Sequence, residues 1–192
     1  MRLPKHLATA AALIAVTTLS GCGGDSSGPM DDLGLPAADD MASVASIVNE
    51  HAVCKKLSKG TQGPSEPSNS VSDQWDPAYL SEETANPDWA IKERALCKDD
   101  NGRQITLLTI SDMTKFQTAT SKAQANGDEK DFLVGQNFAV VPTADDTVRP
   151  LMTGGGLFIT SCDPDNKSDI PSGYKIHDGL AKGCFMTDYI PS

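Results

Sequence analysis

Histidine, aromatic side chains and basic charge are all scarce in this 192-residue chain, and each scarcity narrows its function. There are three histidines, His6, His51 and His177, so a Ser–His–Asp or Cys–His site has few bases to draw on. Aromatics make up 5% of the residues, and Lys and Arg number 16 against 26 Asp and Glu, a formal net charge of −10. No basic cluster interleaves with aromatics, so the electrostatic footprint of a nucleic-acid binder is missing. GxSxG and HExxH are absent, and Gly154-Gly155-Gly156 lacks the Gly-Lys-Ser/Thr of a phosphate-binding loop. No CxxC or Cys/His spacing suggests zinc, and no motif calls for a cofactor. Only one long apolar run occurs, Leu7 to Leu19, broken by Thr9, Thr17 and Thr18. It is shorter than the roughly 20 residues a membrane-spanning helix needs.

That run has the anatomy of an export signal. Arg2 and Lys5 precede it, and Leu19-Ser20-Gly21-Cys22 follows it. The four residues resemble the lipobox of bacterial lipoproteins. The resemblance implies a diacylglycerol on the Cys22 thiol, cleavage just before Cys22, and anchoring on the extracytoplasmic face of the cell membrane. Each buried CH₂ of an acyl chain adds about 0.8 kcal/mol, so two chains on one glycerol hold firmly. Residues 1–21 carry two basic residues and no acidic ones, so a chain cut there has a net charge of −12. Such a surface is repelled by nucleic acid and by anionic lipid.

Four cysteines remain: Cys54, Cys97, Cys162 and Cys184. An even count in an exported chain reads as two disulfides. Four cysteines allow three pairings. Cys54–Cys97 and Cys162–Cys184 are preferred because each closes a local loop, about 3–4 kcal/mol apiece by loop entropy. The two other pairings remain alternatives.

Residues 22–38 are rich in Gly, Ser, Pro and Asp and read as a flexible tether. Residues 39–192 read as a single α+β domain. Asp39 or Asp40 caps a helix with Met41, Val44, Ile47 and Val48 on one face, Cys54 at its end and Gly60 as its stop. Residues 61–88 form a long loop with Pro64, Pro67, Pro77 and Pro87. Its aromatics, Trp75 and Tyr79, are candidate partner contacts, or they tuck back onto the core.

Residues 89–97 and 104–110 read as strands joined by a type I′ turn at Asn101-Gly102. Ser111 offers the N-cap of a second helix, with Asp112 in its first turn, and Asn126-Gly127 ends it. Residues 132–141 read as one strand with a bulge at Gly135, followed by a short helix over 147–152 and a strand over 157–162. Residues 163–192 read as a loop-like extension with a weak last strand from Phe185. The expected architecture is a small mixed or antiparallel sheet with the two main helices on one face.

The path from the Cys54 helix through the Cys97 hairpin, QITLLTI and the Phe116 helix to FLVGQNFAVV resembles small lipoproteins of actinobacteria. In those, a helix ending in Cys precedes a Cys-bearing strand, a strand–helix unit and a strand of the type vvGxnWxv. Here Phe138 stands where that pattern often has Trp. The resemblance covers about 90 residues and implies a fold and a disulfide placement, but no activity.

His51 reads as a packing or surface residue. His177, beside Asp178, has no nucleophile placed near it. Asp163 to Asp169 fails the calcium-loop pattern, since Lys167 takes a ligand position and the required Gly is missing. The expectation is therefore a non-enzymatic envelope lipoprotein that binds an envelope protein or a cell-wall component. The alternatives are a cell-wall hydrolase using two carboxylates and a ligand-capturing lipoprotein serving a transporter.

Overall fold

The computed structural model describes residues 30, 32–59, 79–128 and 130–190. The first helix, α1 (Met41–His51), begins where Asp40 accepts the Ser43 N–H at 2.8 Å, and it buries Met41, Val44, Ala45 and Val48. It ends earlier than expected. The Asn49 side chain turns back on Cys54, accepting its N–H at 2.7 Å and donating to its carbonyl at 3.3 Å. That bend sends Lys55–Lys59 out as an exposed edge strand, β1, instead of a last helical turn. Lysines on an edge strand discourage pairing with other chains.

Residues 81–89, expected as loop and strand, form a short helix, α2 (Ser81–Ala85), and a 3-10 turn (Pro87–Trp89). The strand then runs Ile91–Lys98 (β2) and pairs with β3 (Gln104–Ile110). Their hairpin is not type I′. Asp99 N–H donates to Arg103 O, Gly102 N–H donates to Asp99 O, and only Gly102 takes a positive φ, 80°. This is a three-residue connection with Gly in the left-handed position of a bulge. The Asp99 carboxylate locks it by accepting the Asn101 and Arg103 N–H groups at 2.8 Å each.

Helix α3 (Met113–Ala125) is capped by Asp112, which accepts the Lys115 N–H, and not by Ser111, whose hydroxyl donates to the Ala90 carbonyl; Asn126 closes it. The single strand expected over 132–141 is two: β4 (Phe132–Val134) and β5 (Phe138–Pro142) fold on each other as a hairpin. Gly135 sits at its turn. A Cβ there would lie 2.6 Å from the Pro36 carbonyl and overlap the Phe138 ring, so only Gly fits.

Helix α4 (Asp145–Thr153), β6 (Phe158–Ser161), α5 (Pro164–Ser168), β7 (Ile176–Asp178) and β8 (Phe185–Thr187) follow. All eight strands join one antiparallel sheet in the order β1-β2-β3-β5-β4-β6-β8-β7. Residues 163–190 are thus a structural part of the sheet rather than an extension. The two disulfides are Cys54–Cys97 and Cys162–Cys184.

The fold is α+β, as expected, but α1 and α3 lie on opposite faces. Ile105, Leu107, Leu133 and Val140 pack with α1 and with Leu151 of α4. Their alternating neighbours Leu108, Val134, Ala139 and Val141 pack with Phe116 and Ala119 of α3. Successive strand side chains point to opposite faces, so the two clusters are separated by the sheet. This explains why QITLLTI is buried at every position.

The described part of the expected tether, residues 30 and 32–38, docks on the domain. Met30, Leu35 and Ala38 are buried, and Asn137 holds Ala38 by a 2.9 Å and a 2.7 Å hydrogen bond. Gln136 adds bonds to the carbonyls of Pro36 and Leu35. The hairpin turn at 135–137 is the clamp, and the apolar residues among 30–38 fill the gap it leaves.

Candidate functional site

A cleft of about 600 Å³ opens where four chain segments meet. The last turn of α4 supplies Arg149, Met152 and Thr153. Gly156, with φ 66°, turns the chain so that Leu157 and Phe158 enter β6 along its wall. The opposite rim is Tyr174-Lys175, with Asp188 and Ile190 beyond β8. Leu33 and Gly34 close the remaining side, which is why the docking of residues 32–38 matters for the site.

The helix packing behind the cleft depends on two glycines. A Cβ on Gly154 would lie 2.7 Å from His51 Nδ1, and one on Gly155 would lie 2.5 Å from the Leu151 carbonyl. His51 is therefore a packing residue wedged against the end of α4. His177 is also spoken for: its ring meets Phe158 edge-on at 5.2 Å, on a strand register opposite Met186.

The electrostatics of the cleft differ from those of the chain. Arg149 and Lys175 face one carboxylate, Asp188, among the lining residues. Asp188 Oδ1 accepts the Lys175 backbone N–H at 2.7 Å and so closes the rim. Among the described residues neither Arg149 nor Lys175 enters an ion pair. Tyr174 is 48% exposed, yet its ring is held edge-on to Tyr189 at 4.9 Å.

The other charged clusters are structural. Arg103 bridges Asp99 and Asp146, each at 2.6 Å. Burial works against the charge on Asp99, but the Arg103 N–H and guanidinium and the Asn101 N–H outweigh it. They hold its carboxyl below the usual carboxylate range. Lys130 bridges Glu83 and Asp128 at 2.9 and 2.6 Å. Burial disfavours its charge, the two hydrogen bonds more than restore it, and its pKa stands at about 12.

Cys22 and Trp75 lie outside the described residues. Tyr79 is half-buried against the α3-side core, and its carbonyl accepts from Arg94 Nε at 2.7 Å. Burial raises its hydroxyl above the usual tyrosine range. Among the described residues the aromatic that stands out to solvent is Tyr174, in a segment that reads as polar loop. Its only sequence signal was a Tyr-Lys-Ile run in otherwise polar surroundings. Asp163 caps α5 by accepting the Asp165 N–H at 2.9 Å, which accounts for the acidic start of that turn.

Compared with protein-family models, curated proteins and solved structures, the chain matches none.

Proposed function

We propose that the protein is a lipid-anchored binding module of the cell envelope, held on the extracytoplasmic face of the membrane by a diacylglycerol on Cys22. The observation that carries the binding part is the cleft over residues 149–190 with its Arg149, Lys175 and Tyr174 rim. A carboxylate-pair hydrolase needs two acids facing one substrate, whereas this cleft is lined by one, Asp188, already engaged at its own rim. The anchor part is supported by Leu19-Ser20-Gly21-Cys22 behind its apolar run, and two disulfides suit an oxidising compartment.

Fractionation tests the anchor. The wild-type protein is expected in the membrane fraction and Cys22→Ala in the soluble one; retention of the variant in the membrane overturns the anchor. For the cleft, purified cell-wall polymer is the discriminating substrate. Turnover that Asp188→Asn abolishes would replace the binding module with a hydrolase.

A further inference from the structure

We propose that the cleft holds a single anionic amphiphile, with a carboxylate-type head against Arg149 and Lys175 and an apolar tail along Leu33, Phe158 and Ile190. The inference rests on the binding-module reading and names its ligand class.

Three observations converge on it. First, the cleft is a local inversion of charge. The chain as a whole carries −10, but two cations and one carboxylate line this space. Elsewhere Arg103 and Lys130 each bridge two carboxylates at 2.9 Å or less, and Lys55, Lys59 and Lys167 each pair with one. Arg149 and Lys175 stand among no such partners in the described residues, and both are exposed at the mouth. A charged head that reaches them forms charge-assisted hydrogen bonds, about twice as strong as neutral ones.

Second, part of the lining is apolar. Leu33, Phe158 and Ile190 are half-buried at the cleft, while Met152 and Leu157 lie beneath it with almost no surface exposed. At about 600 Å³ the space falls within the range, roughly 300–1,000 Å³, of small-molecule clefts. A head-only anion would leave most of that wall wetted.

Third, three large hydrophobic residues are exposed among the described residues, Leu57, Tyr174 and Ile176, and one of them, Tyr174, stands at this rim. Apolar rim residues that solvent would disfavour are expected where a tail enters. The Tyr174–Tyr189 edge contact fixes it in place beforehand, so little ordering entropy is lost on binding.

The test is a calorimetric titration of the whole chain carrying Cys22→Ala, so that no lipid of its own competes. The probes are dodecanoate and dodecanol, both below the concentration at which micelles form. Dodecanoate is expected to bind saturably, one per chain, with amide shifts confined to residues near 33–34, 149–158, 174–175 and 188–190. Dodecanol is expected to bind about tenfold more weakly, the equivalent of one charge-assisted contact. The exposed double variant Arg149→Gln/Lys175→Gln should lose about tenfold in dodecanoate affinity, keep its dodecanol affinity and keep its melting temperature. Equal affinity for the two probes, an unaffected double variant, or no saturable binding each overturns the proposal. Binding seen only on vesicles of dioleoylphosphatidylglycerol also overturns it and makes the rim a membrane-facing surface. Failure of the binding-module reading shows separately, as turnover of cell-wall polymer.

Discussion

The two ends of the sheet are built by different means. At the centre, β2, β3 and β5 are long, hydrogen-bonded on both sides and covered by helices on both faces. At the far end, β8 and β7 are three residues each, and β7 is an edge. The far end is held by other devices. Cys162–Cys184 ties it to β6. The Gln117 side chain reaches from α3 to accept the N–H groups of Leu180 and Ala181 at 2.6 and 3.1 Å. The centre thus draws its stability from burial on both faces, whereas the far end buries Phe185 and Met186 of β8 and adds a covalent link and a few directed bonds. The cleft sits at the far end. A cleft made from short, clamped strands can adjust locally while the centre stays folded.

The largest effect should come from the centre. Phe116 is fully buried and meets Phe132 and Trp89 edge-on at 4.9 and 5.8 Å. Phe116→Ala should cost about 3–5 kcal/mol in urea unfolding. A loss under 1 kcal/mol would mean that this core is not where the stability lies. Next is Cys162→Ala/Cys184→Ala, which opens a loop of 22 residues and should cost about 3 kcal/mol. Hydrogen exchange should quicken over 176–187 and leave 104–110 protected. A uniform rise in both segments would erase the contrast between the ends.

The smallest effect concerns Lys130, which links α2 to the loop after α3. Its folded pKa of about 12 lies above the ordinary lysine value of 10.5. The stabilisation is therefore complete below that ordinary value and is lost as pH rises through about 12. The amount is about 1 kcal/mol after solvent screening. Lys130→Gln should melt lower than wild type at pH 9, and the gap should close in strong alkali. A gap independent of pH would mean the charge contributes nothing.

The central elements were legible because burial there repeats the sequence pattern. Gln104 to Ile110 reads as a strand and is one to the residue; Met113, Phe116 and Ala119 read as a helix face and are buried. What misled was context. Lys55, Lys56 and Lys59 look like a helix end, yet Asn49 folding onto Cys54 makes them an edge strand. Gly135 looked like a bulge because nothing local announces that Pro36 presses on it. The cleft was invisible for the same reason: its walls come from residues 33, 149–158 and 174–190, segments far apart in the chain.

The sequence alone determined the α+β class, the central strands, the two main helices to within a residue or two of their starts, and the preferred cysteine pairing, because each depends on neighbours within a few residues or on a short loop. Only the tertiary structure decided which face each helix covers and that residues 30–38 dock. Only it decided that 163–190 complete the sheet and that Arg149, Lys175 and Tyr174 surround one space. Those outcomes depend on which distant backbone groups find hydrogen-bond partners and which apolar surfaces find each other, and no local window of residues contains that choice.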